Sequence, residues 1–100
     1  MIESFPNLVH YHEQQIASRS LSQKLGLERA VTLYAFDQGE SISPEVSTAD
    51  KLLQVLEGRL LLSLDNQKIK LEADSLVAIH KGQVIALEAA KPSKLLQIDL

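Results

Sequence analysis

The 100-residue chain has no cysteine and no tryptophan, and only two tyrosines, two phenylalanines, three prolines and four glycines. Without cysteine, disulfides, thiolate metal sites and thiol nucleophiles are all excluded, and the composition fits a reducing cytoplasm. Aromatic residues at 4% argue against stacking platforms for bases or sugars. No apolar run approaches the roughly 18 residues of a membrane span. The opening MIESFPNLVHYHEQQ lacks a basic stretch followed by an apolar one, so it does not read as a secretory signal. A strong charge of one sign is also missing. The net charge is −3, and Lys24, Lys51, Lys68, Lys70, Lys81, Lys91 and Lys94 are interleaved with acids. That gives no electrostatic case for nucleic acid. The composition predicts a cytoplasmic domain without membrane or nucleic-acid partners.

What is present is a 45% hydrophobic chain of a size that buries one core, so residues 1–100 read as one domain. Residues 1–13 read as a polar lead-in with a turn at Pro6. Residues 14–22 are Ser-rich and read as an edge strand, although Ile16, Leu21 and Leu25 also allow a helix. Over 29–37 the alternation is clear. Val31, Leu33 and Ala35 share one face, and Thr32, Tyr34 and Phe36 the other. Asp37-Gln38-Gly39 turns the chain, and GESISPEVST reads as a loop. Leu52–Leu56 and Leu60–Leu64 flank a break at Glu57-Gly58, and the first of these is apolar on both faces, so it needs cover on both sides. Asp65-Asn66 signals a tight hairpin, because both residues tolerate left-handed backbone angles. Gln67–Leu71, Leu76–Ile79, Val84–Leu87 and Leu95–Leu100 complete a series of short strands at barrel spacing. The predicted class is all-β.

Residues 14–100 resemble the small single-domain members of the cupin superfamily. The resemblance is carried by VTLYAFDQGESIS, by QVLEG at Gln54–Gly58, by SLDNQKIKLEA leading into Asp74, and by the closing SKLLQIDL, with QVLEG the most specific piece. It implies a double-stranded β-helix, or jelly-roll barrel, and a homodimer formed by packing or exchange of outer strands. A partner would then cover Leu52 and Leu56. The resemblance also implies two metal-binding motifs. Anchored on Gly39 and Gly58, Glu45 and Ser47 stand at the two histidine positions of the first and Lys51 at its glutamate. In the second, Asp74 takes a glycine position, His80 a proline and Ile85 the histidine, with Gly82 kept. Asp74 therefore implies a changed turn. Ile85 has no lone pair and Lys51 is a cation, so this donor set does not suit a transition metal. No metal and no cofactor are expected.

Glu45 and Lys51 read either as an ion pair inside the barrel or as a solvated pair at its mouth. His10 and His12 read as exposed polar residues, and His80 as a loop residue that could also act as an acid or base. Ser41, Ser43 and Ser47 lack the surroundings of a serine nucleophile. The functional expectation is a metal-free binding or sensing domain. It would hold a small, partly apolar or anionic ligand near Glu45, Ser47, Lys51, Gln54, His80 and Ile85. The alternatives are a cupin-type isomerase or dioxygenase working without the usual metal, or a purely structural dimer. Whether the barrel is open or packed divides them.

Overall fold

A computed structural model of the chain describes residues 5–100. Nine strands run in order: β1 Ile16–Ser20, β2 Val31–Phe36, β3 Ser41–Val46, β4 Lys51–Glu57, β5 Arg59–Leu64, β6 Gln67–Glu72, β7 Leu76–Ile79, β8 Val84–Ala89 and β9 Ser93–Asp99. A 3₁₀ turn at Phe5–Leu8 and a one-turn helix, α1, at Ser22–Leu25 are the only helical pieces among the described residues. The strands form two antiparallel sheets, β1-β2-β9-β4-β7 and β3-β8-β5-β6. This is the all-β class that the alternation predicts, in the jelly-roll arrangement that the resemblance implies.

Local chemistry accounts for most of the turns. Asp65 and Asn66 both take positive φ, 48° and 69°, as the hairpin between β5 and β6 requires. Asp74 takes φ 71°, so an aspartate adopts the left-handed angle of the glycine it stands for. The expected change of turn does not occur. The segment expected as a loop holds β3, which pairs with β8 through a bulge between Ile42 and Glu45. Its proline and polar residues hide the strand from any reading of periodicity. Residues 14–22 contain both alternatives in succession, β1 and then the start of α1.

The core is double. Between the sheets lie Phe36, Leu53, Val55, Leu60, Leu62, Leu71, Ile79, Ile85, Leu87, Ala89 and Leu95. A second cluster, on the outer face of the five-stranded sheet, joins Val31, Leu33, Ala35 and Leu96 to Val9 and Leu21, with Leu8, Tyr11, Leu25 and Leu56 packed against it. The lead-in is therefore a strap over the sheet, and it covers Leu56 from within the chain. Lys94 anchors this strap although only 7% exposed. Its Nζ donates to the Pro6 carbonyl oxygen at 2.6 Å and lies 5.0 Å from the centre of the Tyr11 ring. Glu57 completes the network, accepting from the Tyr11 hydroxyl at 2.8 Å and standing 3.9 Å from the ammonium. The bulge between Val55 and Glu57 sets Glu57 opposite Lys94.

The sheets are joined at Gly58, between β4 and β5, with φ 90°. A Cβ there would press into the Pro92 carbonyl and Ser93 Oγ and stand 2.7 Å from Ser93 Cα. Ser93, fully buried, accepts from the Arg59 amide at 2.9 Å and donates toward the carbonyls of Arg59 and Lys91 at 3.0 and 2.8 Å. Gly58→Ala is expected to destabilise the fold by roughly 2–5 kcal/mol, from strain plus overpacking. Gly39→Ala, whose Cβ meets nothing within 4 Å, should lose only about 1 kcal/mol. Ser93→Ala should lose about 1–3 kcal/mol through two unpaired backbone groups. Urea unfolding of the three variants checks the order. Lys94→Met is expected to speed amide exchange over residues 7–11, read by NMR, while exchange in β5 and β8 stays as it was.

Candidate functional site

Register decides which polar side chains reach the space between the sheets. On β9, Leu95 belongs to the inner core and Leu96 to the outer cluster, so Gln97 and Asp99 share the inner face with Leu95. Asp99 stands opposite Lys51, which in turn faces the buried Ile79 on β7. On β2, Tyr34 packs against the inner core beside Phe36, with ring centres 6.1 Å apart. Glu45 stands opposite Ile85 across the β3–β8 pair. Glu45, Lys51, Gln97 and Asp99 thus lie toward one end of the barrel, with Ile85, Ile79 and Leu53 as the cross-strand neighbours of the first three, while Tyr34, opposite Leu95 on mid-β2, is close enough to Asp99 and Glu45 to feel their charges. Gln97 Nε2 donates to Asp99 Oδ1 at 3.1 Å.

The Tyr34 phenol is held above its ordinary value, first by burial and then by the negative charges of Asp99 and Glu45. It remains a neutral hydroxyl, able to donate and to accept. Lys51 is half-buried, and among the described residues it makes no ion pair or hydrogen bond. Glu45 is exposed at the rim and is likewise unpaired. The two form no ion pair with each other.

The six residues singled out from sequence are distributed unevenly. Glu45, Lys51 and Ile85 belong to the mouth. His80 is exposed in the turn between β7 and β8 at the same end, where its amide donates to Gln83 Oε1 at 2.8 Å. Ser47 is 2% exposed and structural. Its hydroxyl donates to the Ala49 carbonyl at 2.7 Å, and its backbone exchanges 2.8 Å bonds with Gln83 and Gly82. Gln54 pairs with Leu96 and Leu76, which turns it to the outer face, away from the mouth. Tyr34, Gln97 and Asp99 were missed. The signal was the alternation Leu95, Gln97, Asp99 in SKLLQIDL, with polar residues entering a face that begins apolar.

As metal ligands these residues do not fit. The Ser47 hydroxyl is spent on a turn, Ile85 is buried hydrocarbon, and Lys51 brings a positive charge. Among the described residues no group of three or more His, Cys, Asp or Glu side chains is placed to hold an ion. His10 and His12 are both exposed. No described helix is long and apolar enough to cross a membrane.

No protein-family model matches the chain, and no curated protein does so. Solved structures do. A cupin superfamily protein from Desulfitobacterium hafniense is 30% identical over 94% of this chain and 84% of its own, with a TM-score of 0.85. A cupin 2 conserved barrel domain protein from Leptotrichia buccalis is 25% identical over 95% of this chain and 45% of its own, at a TM-score of 0.86. Salicylate 1,2-dioxygenase from Pseudoaminobacter salicylatoxidans shares the fold alone, at 15% identity over 84% of this chain and 24% of that one, with a TM-score of 0.75. The two sheets, the corner at Gly58 and the likeness to the Desulfitobacterium protein agree: the chain belongs to the cupin superfamily.

Proposed function

We propose that this cupin is a metal-free binding or sensing domain that takes a small ligand at the polar end of its barrel. The observation that carries the reading is the placing of Glu45, Lys51, Gln97 and Asp99 toward one end of the barrel beside an apolar floor of Leu53, Ile79 and Ile85, with Tyr34 close enough to feel the charges of Asp99 and Glu45. A few convergent polar groups above hydrocarbon are the usual make-up of a small-molecule site. Lys51, half-buried and without an ion-pair partner, suits an anionic group on the ligand, while Tyr34 and Gln97 fix its orientation. The apolar floor takes the rest. With the positions of the metal ligands held by Glu45, Ser47, Lys51 and Ile85, the domain works through binding rather than through metal chemistry. An isomerase- or dioxygenase-like activity is the weaker reading, because among the described residues no nucleophile or hydrogen-bonded His–acid pair stands at the mouth.

A homodimer belongs to the same proposal. The strap leaves the β4–β7 half of the outer face bare, where Leu52 faces Ala78 and Leu76 is 63% exposed. β7 is also a sheet edge, and antiparallel pairing of two such edges about a two-fold axis is self-complementary.

Four measurements test this. Screening of small carboxylic acids by ¹H–¹⁵N NMR should give binders that shift amides of residues 32–34, 45, 51 and 97–99, and Lys51→Met should weaken them about tenfold. Binders that never touch the mouth, or near-stoichiometric transition metal on the untagged protein by mass spectrometry, would sink the reading. Light scattering should give twice the 11.1 kDa chain mass, and Leu76→Asp should return it to the monomer. In spectrophotometric titration neither tyrosine should ionise at the ordinary 10.0, since Tyr11 and Tyr34 are both raised in the fold. The stability linked to them is whole below that value and is lost as pH climbs from it through the folded-state values. Tyrosinate absorbance at pH 10 in folded Tyr11→Phe, where Tyr34 is the one tyrosine left, would contradict the mouth geometry.

A further inference from the structure

The outer face of the four-stranded sheet carries a second concavity, separate from the barrel mouth. It has a volume of about 400 Å³ and crosses all four strands. Its shape follows from the bulge in β3, where the register slips between Ile42 and Glu45 and Ser43-Pro44 stand out as a wall. The floor is apolar, built from outward-facing Leu61 and Ala86. It continues along β8 to Val84, exposed opposite the exposed Val46.

The polar groups lie at opposite ends. Ser41 stands across from Glu88 on the β3–β8 pair, and Ser63 across from Lys68 on the β5–β6 pair. Because β8 and β6 flank β5, these ends are two strand spacings apart, roughly 10 Å. Among the described residues neither Glu88 nor Lys68 has an ion-pair or hydrogen-bond partner, and the hydroxyls of Ser41 and Ser63 are also unused. A negative end and a positive end thus face each other over hydrocarbon, each backed by a hydroxyl.

We infer that this groove is a second ligand site, and that its ligand is a partly apolar zwitterion of about dipeptide size. The charges set the orientation. The ligand's ammonium goes to Glu88 and Ser41, its carboxylate to Lys68 and Ser63, and its apolar side chain lies on Leu61 and Ala86. A volume of this size is in the range of small-molecule sites. The arrangement favours a molecule that carries both charges, since one with a single charge engages only one of Lys68 and Glu88 and leaves the other to solvent. The site is independent of the barrel mouth, since none of its lining residues belongs to that cluster.

Leucylglycine titrated into ¹⁵N-labelled protein tests this. Amides of residues 41–43, 61–63 and 86–88 should shift saturably, and those of 97–99 should not. The blocked, uncharged N-acetyl-leucylglycinamide should bind at least about tenfold more weakly, as should leucylglycine to Lys68→Ala or Glu88→Gln. Both substitutions are at exposed positions, and an unchanged melting midpoint shows that the fold persists. Glu45→Gln, at the mouth, should leave the titration unaltered, so this site and the mouth stand or fall separately. Shifts confined to the mouth, equal binding of the blocked peptide, or no saturable shift would each overturn the proposal.

Discussion

The contact between Gly58 and Ser93 sets the geometry on which the rest of the molecule rests. The chain leaves one sheet at Glu57 and enters the other at Arg59, with a single residue to make the change. That residue sits against the backbone of 92–93 with no space for a side chain. Ser93 then holds both the amide and the carbonyl of Arg59. The first residue of β5 is thereby tied to the first of β9, and the separation of the sheets is set there. A one-residue slip at this corner would turn Leu60 and Leu62 outward, because side chains alternate along a strand.

From that corner follows a division of labour for the five-stranded sheet. One of its faces closes the barrel and the other must also be covered. The residues before β1 and around α1 provide that cover, with Lys94 pinned among the Pro6 carbonyl, the Tyr11 ring and Glu57. A buried ammonium is tolerable only because a carbonyl, a ring face and a carboxylate replace its water. The cover stops short of β7, so Leu52, Leu76 and Ala78 form an apolar surface left open on that face.

The interior has the same economy. Most of the barrel is hydrocarbon, with Ser93 buried at the Gly58 corner and the polar side chains of β3, β4 and the end of β9 lying away from it. Burial of Tyr34, and after it the carboxylates of Asp99 and Glu45, make the phenol hold its proton. The four positions that resemble a metal-binding motif share the mouth only in part. Glu45, Lys51 and Ile85 are there, whereas Ser47 has become a turn residue. The outer groove arises from a different cause, the bulge that lifts Ser43 and Pro44 away from β8.

The sequence by itself determined whatever depends on neighbours in the chain. The alternation in Val31–Phe36 is a local period of two, Leu76–Ile79 is a short apolar run between turns, and Asp65-Asn66 specifies its own turn, so these strands, the hairpin and the fold class were legible. Glu45, Lys51 and Ile85 were legible as mouth residues because motif spacing and strand parity are also local. The tertiary structure alone decided the rest. β3 is a strand only because β8 pairs with it, and Ser43 and Pro44 carry no trace of that pairing. Leu8, Val9 and Tyr11 become cover only when they meet Leu33 and Leu96. Lys94 is buried by a carbonyl 88 residues away in the chain. Gln54 faces outward and Asp99 inward by register alone. In each case the deciding contact joins residues distant in sequence, and no local pattern encodes which distant partner a side chain will meet.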